Sequence, residues 1–454
     1  MTMIGLEIHV QLPTKSKLFC TCPNKTSDDP NSIVCPICLG MPGSKPATNR
    51  RALELACIAA KTLHCRPLEK TWFSRKTYFY PDLAKDFQIT QFEAPIAING
   101  YLDVDGKRVG ISRVHVEEDP ARAVHDMAPH QEYSLIDYNR SGVPLIEIVT
   151  KPDMNSPAQA RDFLRMLLSE LRYVGVVVEG EDLKVRADAN ISIEGGERVE
   201  IKNITGLRNL ERALEFEERR QLKLEKAHMS VKRETRSFDE EKGVTIASRE
   251  KEEEQEYGYI FEPDLPVYNL SSIVDKMAKP VTASEKAQEI AKKFNLPESD
   301  VRSLILDSKP LGELLEDIAQ NVDPSRALRW ISSVVKAEHY KHSEVSFSLI
   351  KSEIERVIAA DSAGKLSDVV VKEAIKRIFE TGEAGELTEI EEAEGELEKM
   401  ISNILETEPN LLEEIRRQPK AINSIVGKII KQSKGRYDSK KIFEAVQKEV
   451  EKRL

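Results

Sequence analysis

The sequence predicts an α+β fold, in which a β-rich N-terminal domain is followed by an all-α domain and an all-α tail. Short alternating segments and turn signals fill the first part of the 454-residue chain. After Pro266 strand signals nearly vanish, and helical periodicity continues almost to the end. We place the domains at 1–268, 269–345 and 346–454.

Local signals predict the elements in order. Asp105-Gly106 between alternating residues is a hairpin turn, and Ser156-Pro157 has a helix N-cap followed by proline at the first helical position. Thr282-x-x-Glu285 is a capping box that opens the helical part. The predicted elements are a strand from Met3 to Leu12, a helix over 51–63, two strands within 100–115, a short helix opened by Asp119-Pro120, a helix from Ser156, two strands within 183–203 and a charged helix over 207–229.

Composition excludes some classes of protein. Apolar residues make up 40% of the chain, which is enough for real cores, and the net charge is -10. That charge argues against a protein that coats nucleic acid over its whole surface, although it allows a local basic face. No basic segment precedes an apolar run at the N-terminus, and no run is long enough to span a bilayer. We therefore expect a cytoplasmic protein with no membrane partner.

Four of the six cysteines form two close pairs. Cys20-x-Cys22 and Cys35-x-x-Cys38 are separated by a short loop, a spacing that can place four thiolates around zinc. Because four sulfur ligands leave no open position, the zinc would be structural, in a knuckle at 20–38. The alternative is four reduced thiols without a metal.

Carboxylates and an imidazole recur in separate predicted strands. Glu7 and His9 share a strand face because side chains at i and i+2 point the same way. Adjacent strand residues face opposite ways, so only one of Glu117 and Glu118 enters a shared cavity, and we favour Glu118. With Glu147 these groups make a magnesium site. The alternative is surface glutamates beside a hydrogen-bonded histidine.

The segment 136–149 places charged groups between apolar residues. Asp137, Arg140 and Glu147 lie in it, and burying such groups costs several kcal/mol unless they are paired or ligated. The pattern favours a ligand site, and the alternative is a structural Asp–Arg pair at a turn. Asp188 and Asn190 share one strand face and can join the acidic site.

The stretch 72–88 interleaves aromatic and basic residues. Such a mixture suits stacking on a base or sugar with cations at phosphates, and equally suits an ordinary core.

The C-terminal residues 421–454 carry nine basic and four acidic side chains, a net charge of +5. Such a run is usually a solvated face, but in a chain of negative net charge it can also meet phosphates. The candidate RNA contacts are Lys428, Lys431, Lys434, Arg436, Lys440 and Lys441.

Several catalytic patterns are absent from the sequence. There is no Gly-x4-Gly-Lys-Ser/Thr loop, so ATP use through a Walker loop is excluded, and no Gly-x-Gly-x-x-Gly follows a strand. No Gly-x-Ser-x-Gly elbow or tandem Ser-Ser-Lys pattern occurs. A cysteine nucleophile is not expected because the thiols belong to the knuckle.

Taken together, these segments resemble the GatB family, the B subunits of tRNA-dependent amidotransferases. The likeness covers essentially the whole chain, and the block from Asp137 to Ile148 is highly specific to this family and its longer relative GatE, whose large inserted domain has no counterpart here. Further matching segments are Gly5-Leu6-Glu7-Ile8-His9-Val10-Gln11-Leu12, Cys38-Leu39-Gly40-Met41-Pro42-Gly43, Arg75-Lys76-Thr77-Tyr78-Phe79-Tyr80-Pro81-Asp82, Glu117-Glu118-Asp119, Asp188-Ala189-Asn190 and Val199-Glu200-Ile201-Lys202-Asn203.

The resemblance implies a cradle-like catalytic domain, a helical domain and a helical tail that contacts tRNA. ATP would phosphorylate the side-chain carboxylate of glutamate or aspartate misattached to tRNA(Gln) or tRNA(Asn). Ammonia, channelled from the amidase subunit GatA, would displace the phosphate, and the small subunit GatC would complete a heterotrimer.

The resemblance also suggests roles for single residues. Glu7, His9, Glu118 and Glu147 would hold Mg²⁺. Lys76 and Lys85 would line the cradle and the ammonia route. Arg140, held by Asp137, would complement phosphate charge, and Asp188 and Asn190 would assist cofactor binding. In the cradle-closing segment, Gly258 stands where the family has arginine, which puts a nucleotide contact there in doubt.

Two other classes of function compete with this interpretation. A non-enzymatic RNA-binding adaptor would use the knuckle and the basic tail without turning over ATP. A metal-dependent hydrolase would use the same acidic cluster without ATP.

Overall fold

A computed structural model describes residues 1–124, 134–178, 185–248, 258–387, 394–408, 415, 422–432, 437 and 439–453. For residues 124, 203, 394–396, 431 and 439 only the backbone is described. The chain forms two compact units, Met1–Ala283 and Ser284–Leu454. The predicted further division near residue 345 stays a prediction. Among the described residues no helix is long and apolar enough to cross a bilayer.

The first unit is built on a nine-stranded sheet with the order β14-β13-β12-β11-β1-β10-β7-β6-β2. Neighbours in it are antiparallel, except for β12 and β13, which run parallel. The strands are β1 Thr2–Gln11, β2 Arg66–Pro67, β6 Ala97–Val104, β7 Lys107–Glu118, β10 Pro144–Thr150, β11 Arg186–Ile193, β12 Val199–Thr205, β13 Glu234–Asp239 and β14 Val244–Ala247.

Three small sheets surround the large one. One has three strands in the order β15-β4-β5. The other two are the pairs β16-β3 and β8-β9. Their strands are β3 Lys70–Thr71, β4 Ser74–Thr77, β5 Phe87–Thr90, β8 Arg122–Val124, β9 Leu135–Asp137, β15 Gly258–Phe261 and β16 Tyr268–Asn269.

Helices cover the apolar face of the large sheet. They are α1 Arg50–Thr62, α2 Pro157–Tyr173 and α3 Leu207–Lys226, and a short α4, Ser271–Val274, follows β16. As predicted, Ser156 caps α2, since its hydroxyl accepts a hydrogen bond from the Gln159 N–H. The sheet residues beneath, such as Ile8 and Ile146, are fully buried. Each contributes roughly 1.5–3 kcal/mol of hydrophobic free energy.

The second unit is helical in its described part. A core around Trp330, whose indole N–H donates to Asp361 at 2.7 Å, is followed by a separate core formed by the last three helices. The helices are α5 Ala283–Phe294, which spans the boundary, α6 Glu298–Asp307, α7 Lys309–Ile318, α8 Pro324–Trp330, a π-helical turn Ile331–Val335, α9 Lys336–Lys341, α10 Phe347–Ser362, α11 Asp368–Thr381, α12 Glu394–Thr407, α13 Ile422–Gln432 and α14 Ser439–Arg453.

One predicted element of the first unit is wrong. Asp119-Pro120 does not open a helix, because residues 119–121 form a loop into β8. The Asp119 side chain, expected to cap backbone N–H groups, instead pairs with Arg140. Asp119 therefore forms an ion pair with a residue distant in the sequence and does not cap a helix.

Gly100 in β6 should be intolerant of any side chain. A Cβ atom there would clash with the Cys65 sulfur and the Leu63 carbonyl oxygen, so Gly100→Ala should lower the free energy of unfolding by about 1–3 kcal/mol. Denaturant titration of the full chain measures this. Gly5→Ala in β1 is the control, since its nearest neighbours lie no closer than 3.6 Å. Equal stability of the two variants would contradict the packing argument.

Candidate functional site: an acidic and imidazole centre on the sheet

The centre of the large sheet has a polar face opposite the helices. In the antiparallel register His9 lies across from Glu147, and Glu147 lies across from His115. Cross-strand partners point to the same side, so one row of ionisable groups crosses three strands. Glu117, two residues after His115, lies on the same face.

Two imidazoles flank two carboxylates in this row. His9 Nε2 lies 3.4 Å from Glu117 Oε1 and 3.4 Å from Glu147 Oε2. His115 Nε2 lies 3.2 Å from Glu147 Oε2 and 3.6 Å from Glu117 Oε2. The ligand atoms of His9, Glu117 and Glu147 all lie within 4.8 Å of one another. Two carboxylates and one imidazole fit a divalent cation that prefers oxygen ligands.

The electrostatics of the row follow from burial and charge. Burial alone would lower the pKa of His9, but the hydrogen bond to Glu147 and the charges of Glu117, Glu147 and Asp188 raise it to about 9. Burial likewise opposes the charge of His115, and Glu147 and Glu117 raise its pKa to about 9. Although burial works the other way, the two imidazoles hold the pKa of Glu147 well below its ordinary value. Near neutral pH the two imidazoles of the centre therefore carry protons.

The preference for Glu118 over Glu117 is wrong. Glu118 follows Val114 and Val116 on the opposite face of β7, and its carboxylate pairs with Lys85 and accepts a hydrogen bond from the Ile89 N–H at 2.9 Å. The register of β7 thus brings Glu117, not Glu118, to His9.

Glu7, Asp188 and Asn190 lie on the same face beside the centre. Glu7 is across from Asp188 in the β1–β11 register, and the Asn190 amide donates to Glu7 Oε1 at 3.1 Å. Burial and the charges of Glu147, Glu200 and Asp188 raise the pKa of Glu7. The structure therefore brings these three predicted residues together with His9 and Glu147.

An open cavity of about 750 Å³, here called the cradle cavity, lies over this face. Its acidic wall contains Glu7, Glu117, Glu147 and Asp188. Several cationic side chains line the cavity as well, and such groups can stabilise negative charge on a ligand. They are Lys25, Lys76, Arg122, Arg140, Arg186 and Lys202.

Arg140 lines the cradle cavity as predicted, but Asp137 does not hold it. Arg140 Nε lies 3.1 Å from Asp119 Oδ2. Asp137 instead accepts hydrogen bonds from the N–H groups of Asn31 and Asn139, both at 3.0 Å. Asp137 therefore has a structural contact other than the Asp–Arg pair named as the alternative, and it ties the turn to the loop of the cysteine knuckle.

A smaller cavity, here called the knuckle cavity, lies on the other side of the β7 end. Its volume is about 130 Å³, and its lining includes Cys20, Cys38, Lys85 and Glu118. Of the two lysines predicted to line the cradle and the ammonia route, Lys76 lines the cradle cavity and Lys85 lines this one.

Arg75 and Glu262 complete the wall of the knuckle cavity. Arg75 donates two hydrogen bonds to Glu262, at 2.7 and 2.9 Å. Gly258 lies across from Thr77, which is on the face of β4 that carries Arg75 rather than Lys76. A side chain at position 258 would therefore lie on the face away from the cradle cavity.

The sulfur atoms of Cys20, Cys22, Cys35 and Cys38 lie within 4.8 Å of one another, close enough to share one metal ion. A hydrogen bond from Cys20, the Cys35 N–H and the Lys17 charge lower the pKa of Cys38 to about 5. Lys17 is fully buried, and its ammonium donates to the Ile33 carbonyl at 2.8 Å and lies 3.8 Å from Cys38 Sγ. A buried cation beside the thiolates offsets their negative charge, so the cluster fits a zinc ion.

The aromatic and basic stretch 72–88 is divided between the core and the cradle cavity, and its stacking on a base or sugar stays a prediction. Phe73 is buried in the core, whereas Tyr78 and Lys76 line the cradle cavity. Phe79 is 82% exposed, so this end of the stretch is free of the core.

The basic tail is only partly described. Lys434 and Arg436 lie outside the described residues, as does the side chain of Lys431. Lys428 pairs with Glu408, and Lys440 and Lys441 are exposed on α14.

Sequence reasoning missed several residues of the cradle cavity or its centre, among them Glu117, His115, Asp119 and Arg186. The signal for the first two was present, because His115-x-Glu117 repeats the spacing of Glu7-x-His9. Asp119 and Arg186 had no such signal, since their roles depend on a loop and on cross-strand pairing.

Sequence comparisons agree with one another over the chain. Residues 2–275 match the family described as "GatB/GatE catalytic domain", and residues 313–450 match "GatB domain". A protein of Methanoregula boonei, named as the B subunit of aspartyl/glutamyl-tRNA(Asn/Gln) amidotransferase, is 38% identical over 96% of this chain and 95% of the relative.

Two further relatives carry the same name. That of Methanospirillum hungatei is 45% identical over 74% of this chain and 72% of the relative. That of Thermotoga maritima is 38% identical over 99% of this chain and 98% of the relative.

Replacing one cluster cysteine should remove the metal. Cys38→Ser should lower the zinc content of the purified chain from about one ion to near zero and should lower Tm, because all four thiolates are needed for a closed site. Elemental analysis measures the content. Cys57→Ser, in α1 and outside the cluster, should keep its zinc. A zinc-free wild-type chain purified with zinc present would contradict the assignment.

Binding of a divalent cation at the acidic centre should release protons near neutral pH. His9, with its pKa raised to about 9, must lose its proton to bind a cation, so the affinity for Mn²⁺ should rise by roughly tenfold per pH unit below pH 9. Without added cation, the folding stability should change with pH in the opposite direction. The stabilisation from protonated His9 is complete below pH 6.5 and is lost as the pH rises through 9.

Calorimetric titration with Mn²⁺ in buffers of different ionisation enthalpy measures the proton release. The control is His64→Gln, which changes an exposed histidine stacked on Tyr101. This variant should release as many protons on Mn²⁺ binding as the wild type. Tight Mn²⁺ binding at pH 7 with no proton release would exclude His9 as a ligand.

Proposed function

The chain belongs to the GatB/GatE family, and we propose that it is the B subunit of a tRNA-dependent amidotransferase that activates a carboxylate with ATP. Its substrates would be glutamate on tRNA(Gln) or aspartate on tRNA(Asn), in line with the names of its relatives. The observation that carries the proposal is the acidic and imidazole centre in a cavity that cationic side chains also line. Such a pocket suits phosphoryl transfer, which depends mainly on positioning and charge neutralisation.

The proposed reaction has two steps. An oxygen of the substrate carboxylate attacks the γ-phosphorus of ATP, the bond from that phosphorus to the β–γ bridging oxygen breaks, and ADP leaves with the bond's electron pair. The product is an acyl phosphate. Ammonia then attacks the acyl carbon, phosphate leaves, and the nitrogen loses one proton to give the amide.

His9, Glu117 and Glu147 would hold Mg²⁺, with Glu7 at the side. A bound Mg²⁺ supplies Lewis-acid stabilisation of phosphate charge. Asn190 keeps Glu7 oriented, since its amide donates to the Glu7 carboxylate, and Asp188 would add a further oxygen ligand or negative charge beside the cofactor. Lys76 faces the same cavity and adds positive charge for the phosphates.

The ammonia route would pass through the knuckle cavity. Lys85 and Glu118 form an ion pair there, with side chains 15% and 5% exposed. Their low exposure supports this role, because ammonia must reach the acyl phosphate without mixing with bulk water. The amidase subunit GatA would release it from glutamine, with GatC as the third subunit.

The remaining features support substrate binding and stability. Zn²⁺ on the four cysteines would be structural, since no ligand position is left open. The exposed lysines Lys440 and Lys441 on α14 suit the backbone of a tRNA, which proteins recognise largely by shape and phosphate contacts. The enzyme would act in the cytoplasm, where it would meet charged tRNA.

Replacing Glu147 tests the proposal. Glu147→Ala removes a carboxylate from the centre, so in the complex with its partner subunits it should abolish ATP cleavage that depends on misacylated tRNA. Binding of tRNA should stay within about tenfold because the metal acts on the transferred phosphate. Mass spectrometry of the amino acid on tRNA, after incubation with ATP and glutamine, measures the product.

Glu197→Ala changes an exposed glutamate between β11 and β12 and should form amide at the wild-type rate. Amide formed at that rate by Glu147→Ala would refute the site. No ATP consumption by the wild-type complex would favour an adaptor, and ATP-independent ester cleavage would favour a hydrolase.

A further inference from the structure

A group of guanidinium side chains lies in the cradle cavity directly beside the acidic centre. Arg122, Arg140 and Arg186 all line the cavity. Arg186 at the start of β11 lies across from His9 in β1, and paired strands are about 4.8 Å apart. The guanidinium group of Arg186 is therefore carried by the strand next to the one that carries His9 of the acidic centre.

Asp119 brings two of these arginines together. Its Oδ2 atom lies 3.1 Å from Arg140 Nε and 3.6 Å from Arg186 Nη2, and the side chain is 5% exposed. Within the described part of the chain, the ion pairs of both arginines go to this one carboxylate. One negative charge shared by two guanidinium groups leaves a net positive charge that faces the cavity.

The two arginines differ in how firmly the protein holds them. Arg140 donates from Nε to the Pro120 carbonyl and from Nη2 to the Ala121 carbonyl, both at 3.2 Å. Arg186 is 3.6 Å from Asp119, beyond hydrogen-bond reach. Of the described residues none accepts a hydrogen bond from its guanidinium, whose five N–H donors form a fork suited to phosphate.

We propose that Arg186, with Arg140 anchored beside it, binds the terminal phosphoryl group of the nucleotide on the side opposite the carboxylates of the acidic centre. This rests on the proposed function and assigns a role to a residue outside its metal site. Guanidinium donors aimed at the equatorial oxygens stabilise the charge that builds up as the bond to ADP breaks and the bond to the carboxylate forms. The acyl carboxylate is the less suitable ligand, because bidentate pairing would lower its nucleophilicity.

Binding of nucleotides of different length tests this proposal. Calorimetry with the full chain in complex with its partner subunits, in the presence of Mg²⁺, would use β,γ-imido-ATP, ADP, AMP and unacylated tRNA as separate probes. Arg186→Gln should weaken binding of β,γ-imido-ATP at least tenfold, change ADP binding threefold or less and leave AMP and tRNA binding unchanged. Arg186→Lys keeps the positive charge but lacks the forked donors of a guanidinium group. Its affinity for β,γ-imido-ATP should lie between those of the wild type and Arg186→Gln.

Arg108→Gln is the matched control. Arg108 is a surface arginine of the same sheet that pairs with Asp103, and its replacement should leave all four affinities unchanged. A thermal melt of each variant separates lost binding from lost folding.

Three results would overturn the proposal. Unchanged β,γ-imido-ATP binding in Arg186→Gln would do so, as would an equal loss for AMP or a loss confined to tRNA, which would place Arg186 at the RNA backbone. A wild-type complex that binds no nucleotide would instead refute the proposed function, so the two failures are distinguishable.

Discussion

The chemistry open to this protein depends on the antiparallel register of β7, β10, β1 and β11. That register lines up His115, Glu147 and His9 across three strands, with Glu117 next to them. Helices α1 to α3 cover the opposite face, and the ionisable groups of this row lie on the side away from them. A slip of one residue in any of these strands would turn its charged side chain into the helix layer, where an unpaired charge costs several kcal/mol. Burial of the apolar face thus sets the strand register, and the register determines which ionisable side chains meet on the polar face.

The imidazoles and carboxylates of the centre stabilise one another without a metal. Two negative and two positive charges alternate at 3.2–3.6 Å, so the cation-free fold does not bury uncompensated charge. A cation held by His9, Glu117 and Glu147 would take over the role of the proton on His9.

Much of this arrangement could be predicted from the sequence. The alternation of side chains along a strand predicted that Glu7 and His9 share a face. The Asp105-Gly106 turn predicted the β6–β7 hairpin, and the cysteine spacing predicted the four-cysteine cluster. The choice between Glu117 and Glu118 failed although the alternation of Val114 and Val116 already assigned Glu118 to the apolar face. The pairing of Arg140 with Asp119 rather than Asp137 could not be predicted, because it depends on where a loop returns over the sheet.

Glu117 and Glu118 occupy consecutive positions at the end of one strand, and each side chain lines a different cavity. A single peptide unit therefore separates the two cavities at this point. Any rotation of the backbone there that re-aimed one carboxylate would also move the other. A change of ligand in the cradle cavity that shifted Glu117 would thus be transmitted to the ion pair of Glu118 with Lys85 through one residue of main chain.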